Sequence, residues 1–296
     1  MPAFDVVAEN FELGKRKLGR LELLAQNIGR PAADGAAGAQ RDWQLQKLEI
    51  VNPDGKLAAT GQWVRASDAT PGRAAARRMA LKLALDFSDG GALLTRLGIE
   101  GALRATAGKL DGEIAWRGSP FAIDFPTLEG ELRLQADKGQ FLKADAGAGR
   151  LLGVMSLQSL PRRLTLDFRD VFSDGFAFDS LRASASISSG VLATRDLRMR
   201  GVSATVLMEG SVDIARETQN LHVLVLPEIN AGSASLLYAL ANPAIGLGTF
   251  LAQWVLRDPL SKAFSFEYDV TGSWSDPLVK RREKTVAEDP AKKTPQ

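Results

Sequence analysis

Few side chains in this sequence have the types and spacing that chemistry needs. His222 is the single histidine among 296 residues, so no site with two or three imidazole ligands can be built from this chain. Cysteine is absent, which removes disulfides, thiolate metal sites and a thiol nucleophile. Asp167, Arg169, Asp170 and Asp174 are close in sequence, but they alternate with apolar residues as on a solvated strand face. Gly147-Ala148-Gly149 precedes a helical pattern without the further glycine and the Lys-Ser/Thr of a phosphate loop. A serine elbow of the form G-x-S-x-G is missing, and Gly232-Ser233-Ala234-Ser235 reads as a helix cap. The expectation is therefore a protein that is not an enzyme, with no catalytic residues, no metal and no cofactor. Lys and Arg total 37 against 35 Asp and Glu, and this balance argues against a nucleic-acid binder.

The elements that would carry any site are strands. Before residue 230 the dominant pattern has period two, interrupted by Gly, Asp and Asn. Met79, Leu81, Leu83, Leu85 and Phe87 alternate with small or polar residues, and so do Leu164, Leu166 and Phe168 between Arg163 and Arg169. Trp43–Leu45 and Leu48–Ile50 lead into the turn Asn52-Pro53-Asp54-Gly55. Further strands are expected at Leu57–Trp63, Ala102–Ala107, Gly112–Trp116, Phe121–Phe125, Glu131–Ala136, Leu181–Ile187, Val191–Met199, Val202–Met208 and Ser211–Ala215. Short helices are expected at Asp89–Leu97 and Gly147–Leu160. About fifteen mostly one-faced strands need a second layer or a curl. Leu221–Leu226 is apolar on both faces apart from His222, which calls for cover on its second face.

That cover is expected from the stretch that follows. Ala231–Leu256 contains no charged residue and is long enough to be read as a membrane span. Asn242-Pro243, Gly246 and Gly248 break it, so it predicts two short apolar helices, Ser233–Ala241 and Pro243–Arg257. Leu236, Leu237, Leu247, Phe250, Leu251 and Trp254 would cap the sheet end, with contact to a membrane leaflet as a secondary role. One more strand holds Phe264, Phe266, Tyr268 and Val270. The N-terminus lacks a signal peptide and already reads as strand, which suggests that any anchor lies upstream.

Three segments carry a family resemblance. The run GQFLKADAGAGRLLGVMSLQSLPRRLTLDFRDVFSDGFAFD from Gly139 to Asp179 resembles the C-terminal region of YhdP-type AsmA-like proteins of Gram-negative bacteria. So do Pro227-Glu228-Ile229-Asn230-Ala231-Gly232 with Asn242-Pro243-Ala244-Ile245-Gly246-Leu247-Gly248, and the closing Thr271-Gly272-Ser273-Trp274. Gly61-Gln62-Trp63 and Trp116-Arg117-Gly118-Ser119-Pro120 are looser echoes upstream.

The resemblance implies a mainly β fold: a long curled antiparallel sheet, an open groove or β-taco, with a few short helices. It implies a β-rich groove segment over 1–138 and an AsmA-like C-terminal β segment with capping helices over 139–278; the tail over 279–296, which lacks apolar content from Lys280, is expected to be disordered. The function it implies is the C-terminal part of a periplasm-spanning phospholipid transporter, passing acyl chains from inner to outer membrane. Its upstream part would be anchored in the inner membrane, and its C-terminal end would meet the outer membrane. Leu132, Leu134, Leu164, Leu166, Phe168, Val206 and Met208 are then candidates for lining the groove. The alternative is a non-catalytic structural module of the envelope that holds no lipid.

Overall fold

A computed structural model describes residues 1–30, 40–65, 77–142, 175–227 and 265–282. Period-two alternation becomes strand throughout: β1 (Phe4–Leu13), β2 (Arg16–Arg30), β3 (Gln40–Asn52), β4 (Gly55–Arg65), β5 (Arg77–Phe87), β6 (Leu103–Arg104), β7 (Ala107–Arg117) and β8 (Glu129–Phe141). The chain continues with β9 (Phe176–Ser188), β10 (Val191–Gly201), β11 (Ala204–Asp213), β12 (Thr218–Pro227), β13 (Phe266–Ser273) and β14 (Pro277–Arg281). Among the described residues these form one antiparallel sheet of 14 strands. Neighbours in space are neighbours in sequence, apart from the two-residue β6, which pairs with the far end of β8. The sheet is not closed, and its edges are β1 and β14.

Local chemistry sets the turns. Asn52 Oδ1 accepts hydrogen bonds from the backbone N–H of Asp54 (3.0 Å) and Gly55 (3.1 Å), which closes the β3–β4 hairpin. Ser189 and Gly190 both have positive φ, as a two-residue hairpin loop between β9 and β10 requires. The helix α1 (Gly90–Arg96) starts where Asp89 accepts from Ala92 N–H at 3.0 Å. Arg96 fixes it to the β3–β4 turn through Asp54 Oδ2 (2.6 Å) and to β2 through the Lys17 carbonyl (3.0 Å).

Several expectations about elements change: Val202–Met208 and Ser211–Ala215 join in the single strand β11, and Ala102–Ala107 holds only the two-residue β6 and the first residue of β7. Phe121–Phe125 is not a strand: it is a turn and bend leading into a 3-10 turn over Phe125–Thr127. Pro120 and Pro126 bracket it and remove two backbone donors that a ladder would need. Trp43–Leu45 and Leu48–Ile50 belong to one strand, with a register shift between Leu45 and Leu48 that interrupts the alternation. The expected strand at Arg163–Arg169, the helix at Gly147–Leu160 and the helical pair at Ser233–Arg257 lie outside the described residues.

The core lies on one face of the sheet. One cluster joins Ala25, Trp43, Leu45, Met79, Trp116, Leu128 and Ile187. A second, towards the C-terminal strands, joins Phe176, Phe178, Leu181, Met199, Val206, Met208, Val223, Val225, Tyr268 and Val270. The strands β11 and β12 are buried on both faces, since Leu207 (0% exposed) and Leu224 (1%) point away from the second cluster. The two-sided apolar character of Leu221–Leu226 thus corresponds to two-sided burial.

Candidate functional site

The apolar face becomes a single surface through strand register. One row runs Val6, Leu23, Leu48, Ala59, Leu83, Gly112, Leu132, Ala185, Thr194, Gly210, Leu221, Val270 and Val279, each paired with the next across every strand from β1 to β14 except β6. A second complete row runs Phe4, Ala25, Leu45, Gly61, Leu81, Ile114, Gly130, Ile187, Leu192, Val212, Gln219, Gly272 and Pro277. Neither row contains a charged residue. At a strand spacing of about 4.8 Å, twelve steps make an uncharged band roughly 58 Å long. Leu57, Leu83, Leu85, Leu110, Ile114, Leu132 and Leu134 on this face are only half-buried.

The opposite face carries most of the charge. Glu22 binds both Arg20 and Lys47, Glu49 binds Lys56 at 2.8 Å, and Asp86 binds Lys109 at 3.0 Å. Hydrogen bonds from Lys47 and Arg20 hold the Glu22 carboxyl below its ordinary value, and the Lys56 bond does the same for Glu49. An open depression of about 1520 Å³ over β3, β4, β5, β7 and β8 is lined by Lys47, Lys82, Glu113 and Arg133 as well as by Leu48 and Leu83. It takes in both faces, so the continuity of the apolar band rests on register and not on this depression.

Segments between strands fasten the strand ends. At one end Trp63 Nε1 donates to the Gly118 carbonyl (2.6 Å), Trp116 Nε1 to Ser119 (2.8 Å) and Trp43 Nε1 to Pro2 (3.0 Å). The loop they hold brings Phe121 edge-on to Phe4 with ring centroids 6.3 Å apart. At the other end Gly90 N–H bonds the Thr106 carbonyl, and Leu142 N–H bonds Ala102.

The expected lining residues fall into three groups. Leu132 and Leu134 lie on the apolar face of β8, half-buried. Val206 and Met208 are on the same face but fully packed in the second cluster. Leu164, Leu166 and Phe168 lie outside the described residues, as do Leu236, Leu237, Leu247, Phe250, Leu251 and Trp254. His222 sits on the other face between Glu209 (3.8 Å) and Glu267 (3.4 Å). Among the described residues no group of three or more His, Asp or Glu has the arrangement of a metal site. No described helix is long and apolar enough to cross a membrane.

One face of the sheet thus carries a continuous uncharged band, and the reverse carries the ion pairs of Glu22, Glu49 and Asp86. The model of the YhdP protein family matches residues 1–279, and the chain belongs to that family. It is 34% identical over 225 residues to the intermembrane phospholipid transporter YhdP of Escherichia coli (strain K12), a match that covers 76% of this chain. The chain spans only 17% of that relative's length. No solved structure matches.

Proposed function

We propose that this chain is a segment of an intermembrane phospholipid transporter and that its uncharged face holds acyl chains in transit. The observation that carries this is the pair of uncharged rows crossing the sheet from edge to edge. Each methylene removed from water gains about 0.8 kcal/mol, so a dry apolar band retains a chain without specific polar contacts. It also lets the chain slide, because neither row holds a charged position that would pin it. The half-buried leucines, Leu132 and Leu134 among them, form the wall, and Val206 and Met208 belong to its packed C-terminal part. The family membership and the relative's activity support the same reading. The relative's role between membranes supports a place in the periplasm; an inner-membrane anchor in the upstream part of the protein and outer-membrane contact at the C-terminal end belong to the same proposal. The capping helices and the lining residues Leu164, Leu166 and Phe168 remain part of this proposal.

The test is lipid extraction and native mass spectrometry of the purified chain. Copurified phospholipid, lost on Leu83→Asp or Leu132→Asp but retained on Lys82→Asp, is the expected result. A chain that folds and carries no lipid would instead support a structural envelope module.

A further inference from the structure

We propose that the loop between β7 and β8 docks on the surface of a lipid bilayer through Phe121, Ile123 and Phe125. The choice of a bilayer as partner rests on the acyl-chain reading above. The three side chains stand within five residues and are 69%, 45% and 44% exposed. Single apolar side chains on a surface need no explanation, but a contiguous exposed group marks an interaction site. Residues 118–127 include one charged side chain, Asp124, whose Oδ2 accepts a hydrogen bond from Thr127 Oγ1 at 2.6 Å. That bond stays inside the loop and lowers the cost of drawing the carboxylate away from water.

The loop is held in place. Trp63 Nε1 donates to the Gly118 carbonyl, Trp116 Nε1 to the Ser119 carbonyl and Gly118 N–H to the Arg77 carbonyl. Phe121 N–H donates to Ser119 Oγ at 3.2 Å, and Thr127 Oγ1 accepts from Arg117 N–H at 2.9 Å. On its far side the loop is tied to the β9–β10 hairpin, where Gly190 N–H donates to the Leu128 carbonyl (2.9 Å). It is also continuous with the uncharged face. Phe121 meets Phe4, the first residue of the second uncharged row, and Leu128 belongs to the cluster of Trp43, Trp116 and Ile187. Area decides between the two kinds of partner. A stable protein interface takes about 800 Å² from each side. Three large apolar side chains carry at most roughly 750 Å², and only part of each is exposed here. That is too little for a stable protein interface. It suits shallow insertion into a leaflet, where binding scales with the apolar area buried.

The experiment places a nitrobenzoxadiazole label on Ala122→Cys of the full chain, in the middle of the exposed group, and adds vesicles of phosphatidylethanolamine and phosphatidylglycerol. The label should shift to the blue as it enters hydrocarbon, and the shift should persist at high salt, because apolar insertion is not screened. The same label on Ala84→Cys, on the reverse face, should not shift. Phe121→Ser with Ile123→Ser should weaken the vesicle affinity read at Ala122 about tenfold, with the urea midpoint unchanged. Ile123→Ser alone should weaken it about threefold and serves if the double variant misfolds. No shift at Ala122 overturns the assignment and leaves the patch to a protein partner. Equal shifts at Ala122 and Ala84, loss of the shift at high salt, or an affinity untouched by both loop variants also overturns it. Copurified phospholipid without a shift at Ala122 removes this contact alone. A loop-dependent shift in a chain that copurifies no lipid removes the acyl-chain reading and leaves the contact.

Discussion

At the scale of single residues, side-chain parity decides whether a position meets lipid or water. Leu83 and Lys82 are neighbours in sequence and belong to opposite faces, so the two Asp variants separate site from scaffold. A charge placed on a dry face has no solvent to stabilise it, and Leu83→Asp should lower bound lipid by about tenfold, as measured per mole of protein by mass spectrometry. Gly190 tests the turn geometry: its φ is +76°, and a Cβ there would press on the Phe125 carbonyl oxygen. Gly190→Ala should destabilise the chain by about 1–3 kcal/mol in urea unfolding. Parity was legible in the sequence because alternation needs only neighbours. Phe121, Ile123 and Phe125 show its limit. They alternate as a strand would, yet Pro120 and Pro126 deny them a ladder, and all three side chains are exposed (69%, 45% and 44%).

At the scale of elements, α1 and the ion pairs of the charged face add side-chain links between strands already joined by backbone ladders. Asp89→Ala removes the acceptor for Ala92 N–H and should cost about 1 kcal/mol, read as a lower urea midpoint. The salt bridges of Glu22 and Glu49 have a pH signature. Their carboxyls titrate below their ordinary 4.5 when folded, so their contribution is present above that value. It is lost as pH falls from about 4.5 through the lower folded values. The melting temperature should therefore drop over that acid range, and Glu22→Gln should flatten the drop. Helix α1 was legible from Asp89, the apolar Leu93 and Leu94, and Gly98. The unity of β3 was not, because a bulge at Gln46-Lys47 shifts the pattern by one residue and makes one strand look like two.

At the scale of the whole molecule, the property of interest is the alignment of thirteen strands. Alternation within each strand is a local signal, but register is a long-range one. Val6 and Val279 lie far apart in the chain and share a row only because every intervening strand pairing keeps phase. That is why the sequence pointed to many one-faced strands while the uncharged band itself emerged from the structure. The absence of cysteine makes the band directly testable, since single cysteines can be introduced without a background thiol. Photo-crosslinkers attached at Val6, Leu48, Leu83, Leu132 and Ala185 should each capture phospholipid, and those at Lys47, Ala84 and Arg133 on the reverse face should not. Capture at one end of the row alone, or equally from both faces, would contradict a continuous lipid-bearing surface.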